Sequence, residues 1–217
     1  MTDQTPPTTA RKIPVTPRLA PITVGKTTLR VFVMTWNVHG KLAPKSIAKE
    51  LIQLKSGRER EREKYDLIGI GTQECERGIG ASLVVESKQS WESNLKEAVG
   101  DDFVHVGSST LGAIHLALFA QKTIVPRITT IITGEVATGV ANVVKNKGAT
   151  SIAIQIENTT TILFINCHLA AGQDQIERRI SDWHRIDSEL STAFSQFRPP
   201  SCLCFFLSLP QQVHLHF

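Results

Sequence analysis

The chain has 217 residues, 41% of them hydrophobic and 20% charged, with a formal net charge of +4. That length suits one domain with a sizeable core and is short for two, and the weak positive balance allows anionic ligands without favouring nucleic acid. Cys75, Cys167, Cys202 and Cys204 have no disulfide-framework spacing, MTDQTPPTTARK lacks a secretory apolar core, and SCLCFFLSL is far shorter than the roughly 20 apolar residues that span a bilayer, so a reducing, cytoplasmic setting with only peripheral membrane contact is expected.

Residues 1–28 are rich in Pro and Thr, and burial cannot offset the entropy of ordering them, so a disordered tail is expected. LRVFVMTWNV, beginning at Leu29, reads as a strand, followed by a helical segment whose Ile47, Leu51 and Leu54 share a face. GREREREK, residues 57–64, carries no apolar member and is expected at a solvated helix end or loop. YDLIGIGTQE is a short apolar strand ending in Gln73 and Glu74. A helix through Trp91, Leu95 and Ala98 follows, then several strand-like runs between Phe103 and Val136.

ATSIAIQIEN alternates, with Ile152, Ile154 and Ile156 on one side and Ser151, Ala153 and Gln155 on the other, as a half-exposed strand does. Asn158, Thr159 and Thr160 turn the chain into ILFINCHL, whose continuous apolarity predicts a more central hairpin partner. Asp174 and Glu177 have capping-box spacing, and Ile176, Ile180, Trp183, Leu190 and Phe194 are predicted to share the buried face of a surface helix, with Arg178, Arg185 and Glu189 opposite. RPPSCLCFFLSLPQQVHLHF has no acidic residue and no clean period, so residues 196–217 are expected to be an atypical tail foreign to the domain.

Three polar side chains stand where apolar strands end: Asn37 in TWNVHG, Glu74 in GTQE and His168 in NCHLAAG. Strand ends combine a fixed backbone with access to solvent, which is where α/β proteins build sites. Each alone reads more readily as a surface carboxylate or a structural histidine.

Together, TWNVHG, GTQE, KNKGATSIAI and FINCHLAAG resemble, in order and context, the inositol polyphosphate 5-phosphatases of the endonuclease/exonuclease/phosphatase superfamily. ERRISDWHRI is similar to that family's arginine-rich helix start, with Ile180 where asparagine is usual. The likeness covers residues 29–195 and corresponds to the N-terminal part of the catalytic domain. NKGA followed by CHLAAG points to the phosphatase branch, whereas WN and QE suit the nuclease branches equally.

The resemblance implies an α/β (α+β) fold, a partial four-layer α/β/β/α sandwich with its site at one edge where loops of both sheets converge. It implies Mg2+ with Glu74 as the main metal ligand. Mg2+ prefers oxygen ligands and retains waters, so a carboxylate, an amide oxygen and a substrate phosphate suit it. Asn37 would assist at the metal or the phosphate, and His168 would stabilise charge on a phosphoryl oxygen during attack by water. Asn146 and Lys147 would border the cleft and hold the anionic substrate. Arg178 and Arg179 are weaker candidates for the same cleft, since helix-surface arginines are expected to face solvent, and His39 and His115 receive no role.

The implied reaction is hydrolysis of the 5-phosphate of phosphoinositides or soluble inositol polyphosphates. The alternatives are a metal-dependent nuclease of the same superfamily and a non-catalytic module that binds phosphoinositide or protein. The family also carries a later G-D-x-N-type segment and a P-x-W-C-D-R-type segment. Here the last aspartate is Asp187, the last asparagine Asn166 and the last tryptophan Trp183, so negligible phosphatase activity is expected of these 217 residues alone.

Overall fold

The computed structural model describes residues 18–24, 27–39, 65–75, 81–139, 145–195 and 201–207. The helical segment through Ile47, Leu51 and Leu54, the charged run 57–64 and residues 1–17 lie outside them. Nine strands are described: β1 (Arg18–Val24), β2 (Thr27–Asn37), β3 (Leu67–Gln73), β4 (Phe103–Leu111), β5 (Ile114–Gln121), β6 (Ile128–Ala137), β7 (Gly148–Ile156), β8 (Thr160–His168) and β9 (Ser201–Leu207). Two helices, α1 (Ala81–Val99) and α2 (Ile176–Ala193), accompany them.

The strands form two sheets, ordered β1-β2-β3-β5-β4 and β6-β7-β8-β9. Alternation along each strand sends side chains to opposite faces and builds three separate cores. Between the sheets lie Leu29, Val31, Val33, Leu67, Leu116 and Leu118 from the first, against Ile152, Ile154, Ile156, Ile162 and Phe164 from the second. The other face of the first sheet, with Phe32, Met34, Ile68, Ile70 and Phe119, packs on Trp91, Leu95, Ala98 and Val99 of α1. The other face of the second, with Ala153, Leu163, Ile165 and Cys167, packs on Ile186 and Leu190 of α2 and on Phe194. Three cores between four layers make the expected α/β/β/α sandwich.

Six local expectations are corrected. Arg18–Val24, placed in the N-terminal tail by composition, pairs antiparallel with β2 from Val24↔Thr27 to Arg18↔Val33. A count of apolar side chains overlooks the backbone pairing that an adjacent strand offers. Ser201–Leu207, expected outside the domain, pairs parallel with β8 through a crossover that includes α2. A continuous apolar run without alternation is how a parallel strand of a covered sheet reads.

β7 is not half-exposed: Ser151 and Ala153 are buried as well as the isoleucines, because α2 covers that side. The turn into β8 also starts one residue earlier, with Glu157 and Asn158 at φ 52° and 56° and Thr159 N–H donating to Ile156 O, the twist-matched type of hairpin turn.

The buried face of α2 is Arg179, Asp182, Ile186 and Leu190, and Ile176 and Ile180 are exposed. The first half of the helix packs on polar loop backbone instead of an apolar sheet, so apolar spacing there points the wrong way. Asp174 does not cap it. Gln175 is the N-cap residue, without a side-chain capping bond, and its amide donates to Asp174 Oδ2 at 2.8 Å.

Candidate active site

β2 and β3 run parallel, with Asn37 opposite Gln73, so both strands end at the same edge of the first sheet. Val38 N–H donates to Gln73 O (2.9 Å) and Cys75 N–H to Ala113 O (3.0 Å), which anchors the backbone on both sides of Glu74. Between these anchors Glu74 adopts φ 56°, and His39 across from it adopts φ 54°. Left-handed conformations at residues with a Cβ are uncommon and cluster at functional sites.

β8 presents Ile162, Phe164, Asn166 and His168 to the first sheet by its period of two. Its approach is close because β3 places Gly71 opposite Asn166, where a Cβ would stand 2.6 Å from the Asn166 amide. Asn166 Nδ2 donates to Thr72 O (3.0 Å) and His115 O (2.9 Å), and its Oδ1 accepts from Gln73 Nε2 (2.5 Å). Gln73 Nε2 also reaches Thr35 Oγ1 at 2.7 Å. This buried network joins β8 to β3, β5 and β2 just below the edge. Only Gln73 Oε1 lacks a partner among the Gln73 and Asn166 amide groups, and the bonds that are made fix position more sharply than apolar packing does.

Beyond that point His168 meets Glu74 from the facing sheet, Nε2 to Oε1 at 3.6 Å, with both side chains largely enclosed. His39 Nδ1 lies 4.0 Å from the other Glu74 oxygen and is mostly exposed. Lys147 Nζ is 3.0 Å from His168 Nε2. Lys147 is set by the residue that follows it: Gly148, paired with His168, has φ +141°, and a Cβ there would strike Val136 O at 2.0 Å. Lys147, His168, Glu74 and His39 thus form one line of ionisable groups along the sandwich edge.

The geometry joins Glu74, His168 and Lys147 directly. Asn37 shares the edge through strand register, and its Oδ1 accepts the His39 N–H at 2.9 Å, bracing the loop that carries His39. Asn146 lies exposed in the turn before Lys147.

Sequence reasoning missed three residues here. His39 was detectable as a second polar group two positions beyond Asn37 in TWNVHG. Arg179, expected to face solvent, is 7% exposed and donates through Nη1 to Ala170 O (3.1 Å) and Gly172 O (2.5 Å). Asp182 is 8% exposed. Burial pushes its carboxyl up, against the Ala170 amide, Arg178, Thr138 and Lys147, which favour the charged form. Cys167, next to His168, is pushed up to about 12 by burial and stays a neutral packing residue.

The model of the family described as Endonuclease/Exonuclease/phosphatase family 2 matches residues 34–208. The chain is 29% identical over 172 residues to phosphatidylinositol 3,4,5-trisphosphate 5-phosphatase 2B of Danio rerio, covering 77% of this chain and 14% of that protein. It is 28% identical over 156 residues to phosphatidylinositol polyphosphate 5-phosphatase type IV of Homo sapiens, covering 71% of this chain and 22% of that one. Among solved structures, the inositol polyphosphate 5-phosphatase domain of SPsynaptojanin, crystallised with inositol (1,4)-bisphosphate and calcium, superposes with a TM-score of 0.59 at 25% identity, over 73% of this chain and 45% of that one. The chain therefore spans less than a quarter of these curated relatives and under half of the solved domain.

Proposed function

The chain belongs to Endonuclease/Exonuclease/phosphatase family 2, and on that premise we propose that its Glu74–His168 edge engages the 5-phosphate of a phosphoinositide or soluble inositol polyphosphate for hydrolysis. The observation that carries this reading is the 3.6 Å approach of Glu74 and His168 from facing sheets, with Lys147 at 3.0 Å from the imidazole. Its likeness to named inositol 5-phosphatases supplies the substrate class.

Among the described residues no group of three His, Cys, Asp or Glu side chains is arranged to hold a metal by itself. Mg2+ does not need one, since it binds through one or two carboxylates and takes waters and substrate phosphate for its other positions. Glu74, with the Asn37 amide oxygen on the same edge, fits that donor chemistry, and a bound Mg2+ would polarise the phosphoryl oxygens.

The remaining work falls to the protein's own groups. The Lys147 ammonium draws the phosphate toward the edge, leaving His168 Nε2 for a phosphoryl oxygen. His168 then carries a hydrogen bond to that oxygen as charge accumulates on it during attack by water. His39 at the rim meets the outer side of the anion. For the lipid form, the edge must meet a membrane surface peripherally; no helix among the described residues is long and apolar enough to cross one.

Calorimetric titration of the purified chain with inositol (1,4,5)-trisphosphate in Mg2+ tests the reading, alongside phosphate release and nicking of plasmid DNA. Binding weakened roughly tenfold or more by His168→Ala and by Lys147→Ala is expected, the scale of losing one charge-assisted hydrogen bond. Affinity that ignores both substitutions, or DNA nicking that depends on Glu74, overturns it. Binding without phosphate release assigns the edge to headgroup capture alone.

A further inference from the structure

Arg179 and Asp182 stand one helical turn apart near the start of α2, and both are nearly buried. Arg179 grips the loop that leaves His168, and Asp182 stands beside it. Arg179 donates to the carbonyl of Ala170, and to that of Gly172, while the Asp182 carboxyl stands beside the Ala170 backbone with its Oδ2 buried and without a hydrogen bond. Ala170 is two residues beyond His168. Thr138, near Asp182, donates its N–H to Lys147 O at 3.0 Å, and its buried hydroxyl makes no hydrogen bond. The loop leaving His168 is therefore tied to one turn of α2.

Burying an arginine and an aspartate is costly, and an apolar pair of similar size often serves stability equally well or better. An apolar pair would not specify where a peptide group sits. A guanidinium that donates to two carbonyls of one loop does, because it fixes both peptide groups at once. We propose that Arg179, with Asp182 beside it, is a positioning residue that locks the loop after β8 and, through it, holds His168 in register for a phosphate; the inference rests on the function proposed above.

The test uses the whole chain with Arg179→Met, Arg179→Lys and Asp182→Asn. Two quantities are measured: the ring 15N and 1H resonances of His168, and the affinity for inositol (1,4,5)-trisphosphate in Mg2+. Each variant is expected to retain the wild-type circular dichroism, shift the His168 ring resonances and weaken binding roughly tenfold, as outer partners of site residues commonly do. Combining Arg179→Met with Asp182→Asn should add little further loss, because both act through one loop.

Leu190→Ala, on the same helix but away from the loop, controls for general destabilisation. Unmoved His168 resonances in a folded variant overturn the proposal. So does a loss of affinity that Leu190→Ala reproduces at equal loss of stability. The ring resonances need no ligand: if the wild-type chain fails to bind the headgroup, the functional reading falls while the positioning role is still decided by His168. Asp182→Asn is nearly isosteric and keeps the test open should the Arg179 variants fail to fold.

Discussion

His115 lies wholly buried in an otherwise apolar strand, between Ile114 and Leu116. Its Nδ1 is 2.7 Å from Thr110 Oγ1 and its Nε2 is 3.2 Å from Glu92 Oε1 on α1. The same residue's carbonyl accepts from Asn166, so the imidazole links the outer helix to the network beneath the site. The His115 hydrogen bond, opposed by burial and helped by Ser108, holds the Glu92 carboxyl down at about 2 from its ordinary 4.5. A depressed carboxyl adds stability that is complete above 4.5 and is lost as pH falls toward 2. Glu92→Gln should therefore cost roughly 1–2 kcal/mol at neutral pH, discounted for the solvent-facing side of the carboxylate. Chemical denaturation as a function of pH checks it: the gap to wild type should close on acidification, and a gap constant down to pH 2 contradicts the assignment.

Among the elements, α2 departs furthest from its apolar spacing. Its second half lays Ile186 and Leu190 on the second sheet, while its first half uses Arg179 to hold loop backbone. Leu190, 3% exposed, also closes over Gly134, where an added Cβ would lie 3.2 Å from its Cδ2. Leu190→Ala is expected to cost about 2–4 kcal/mol through the cavity left behind. Ile180→Ser, at 44% exposure, should stay within roughly 0.5 kcal/mol. Thermal and urea unfolding of the two variants separates this face from the one read off the sequence, which would make Ile180→Ser the costly change.

At the scale of the whole molecule, β3, β5, β7 and β8 are buried along nearly their whole length. β6 is an edge strand with alternate residues exposed. The four central strands span both sheets and carry the network through Gln73 and Asn166, so they should open together. Amide exchange is expected to be slowest in them and to converge on one free energy, with β6 exchanging by smaller openings. Separate plateaus for β3 and β8 would mean that the sheets are not locked together at the site edge, and the alignment of Glu74 with His168 would lose its support.

The strands were legible in the sequence because their periodicity is a direct imprint of a two-sided sheet, as in LRVFVMTWNV and ILFINCHL. So were Glu74 and His168, since a polar side chain closing an apolar run marks the place where a buried strand reaches solvent. Tertiary structure alone decided which of these ends meet. Gly71 opposite Asn166 and Gly148 beside Val136 set a separation that no spacing along the chain encodes. It also decided the roles of His39, Arg179 and Asp182, whose surroundings come from segments far apart in sequence. A charged side chain reads the same in the sequence whether water or a distant peptide group will be its partner.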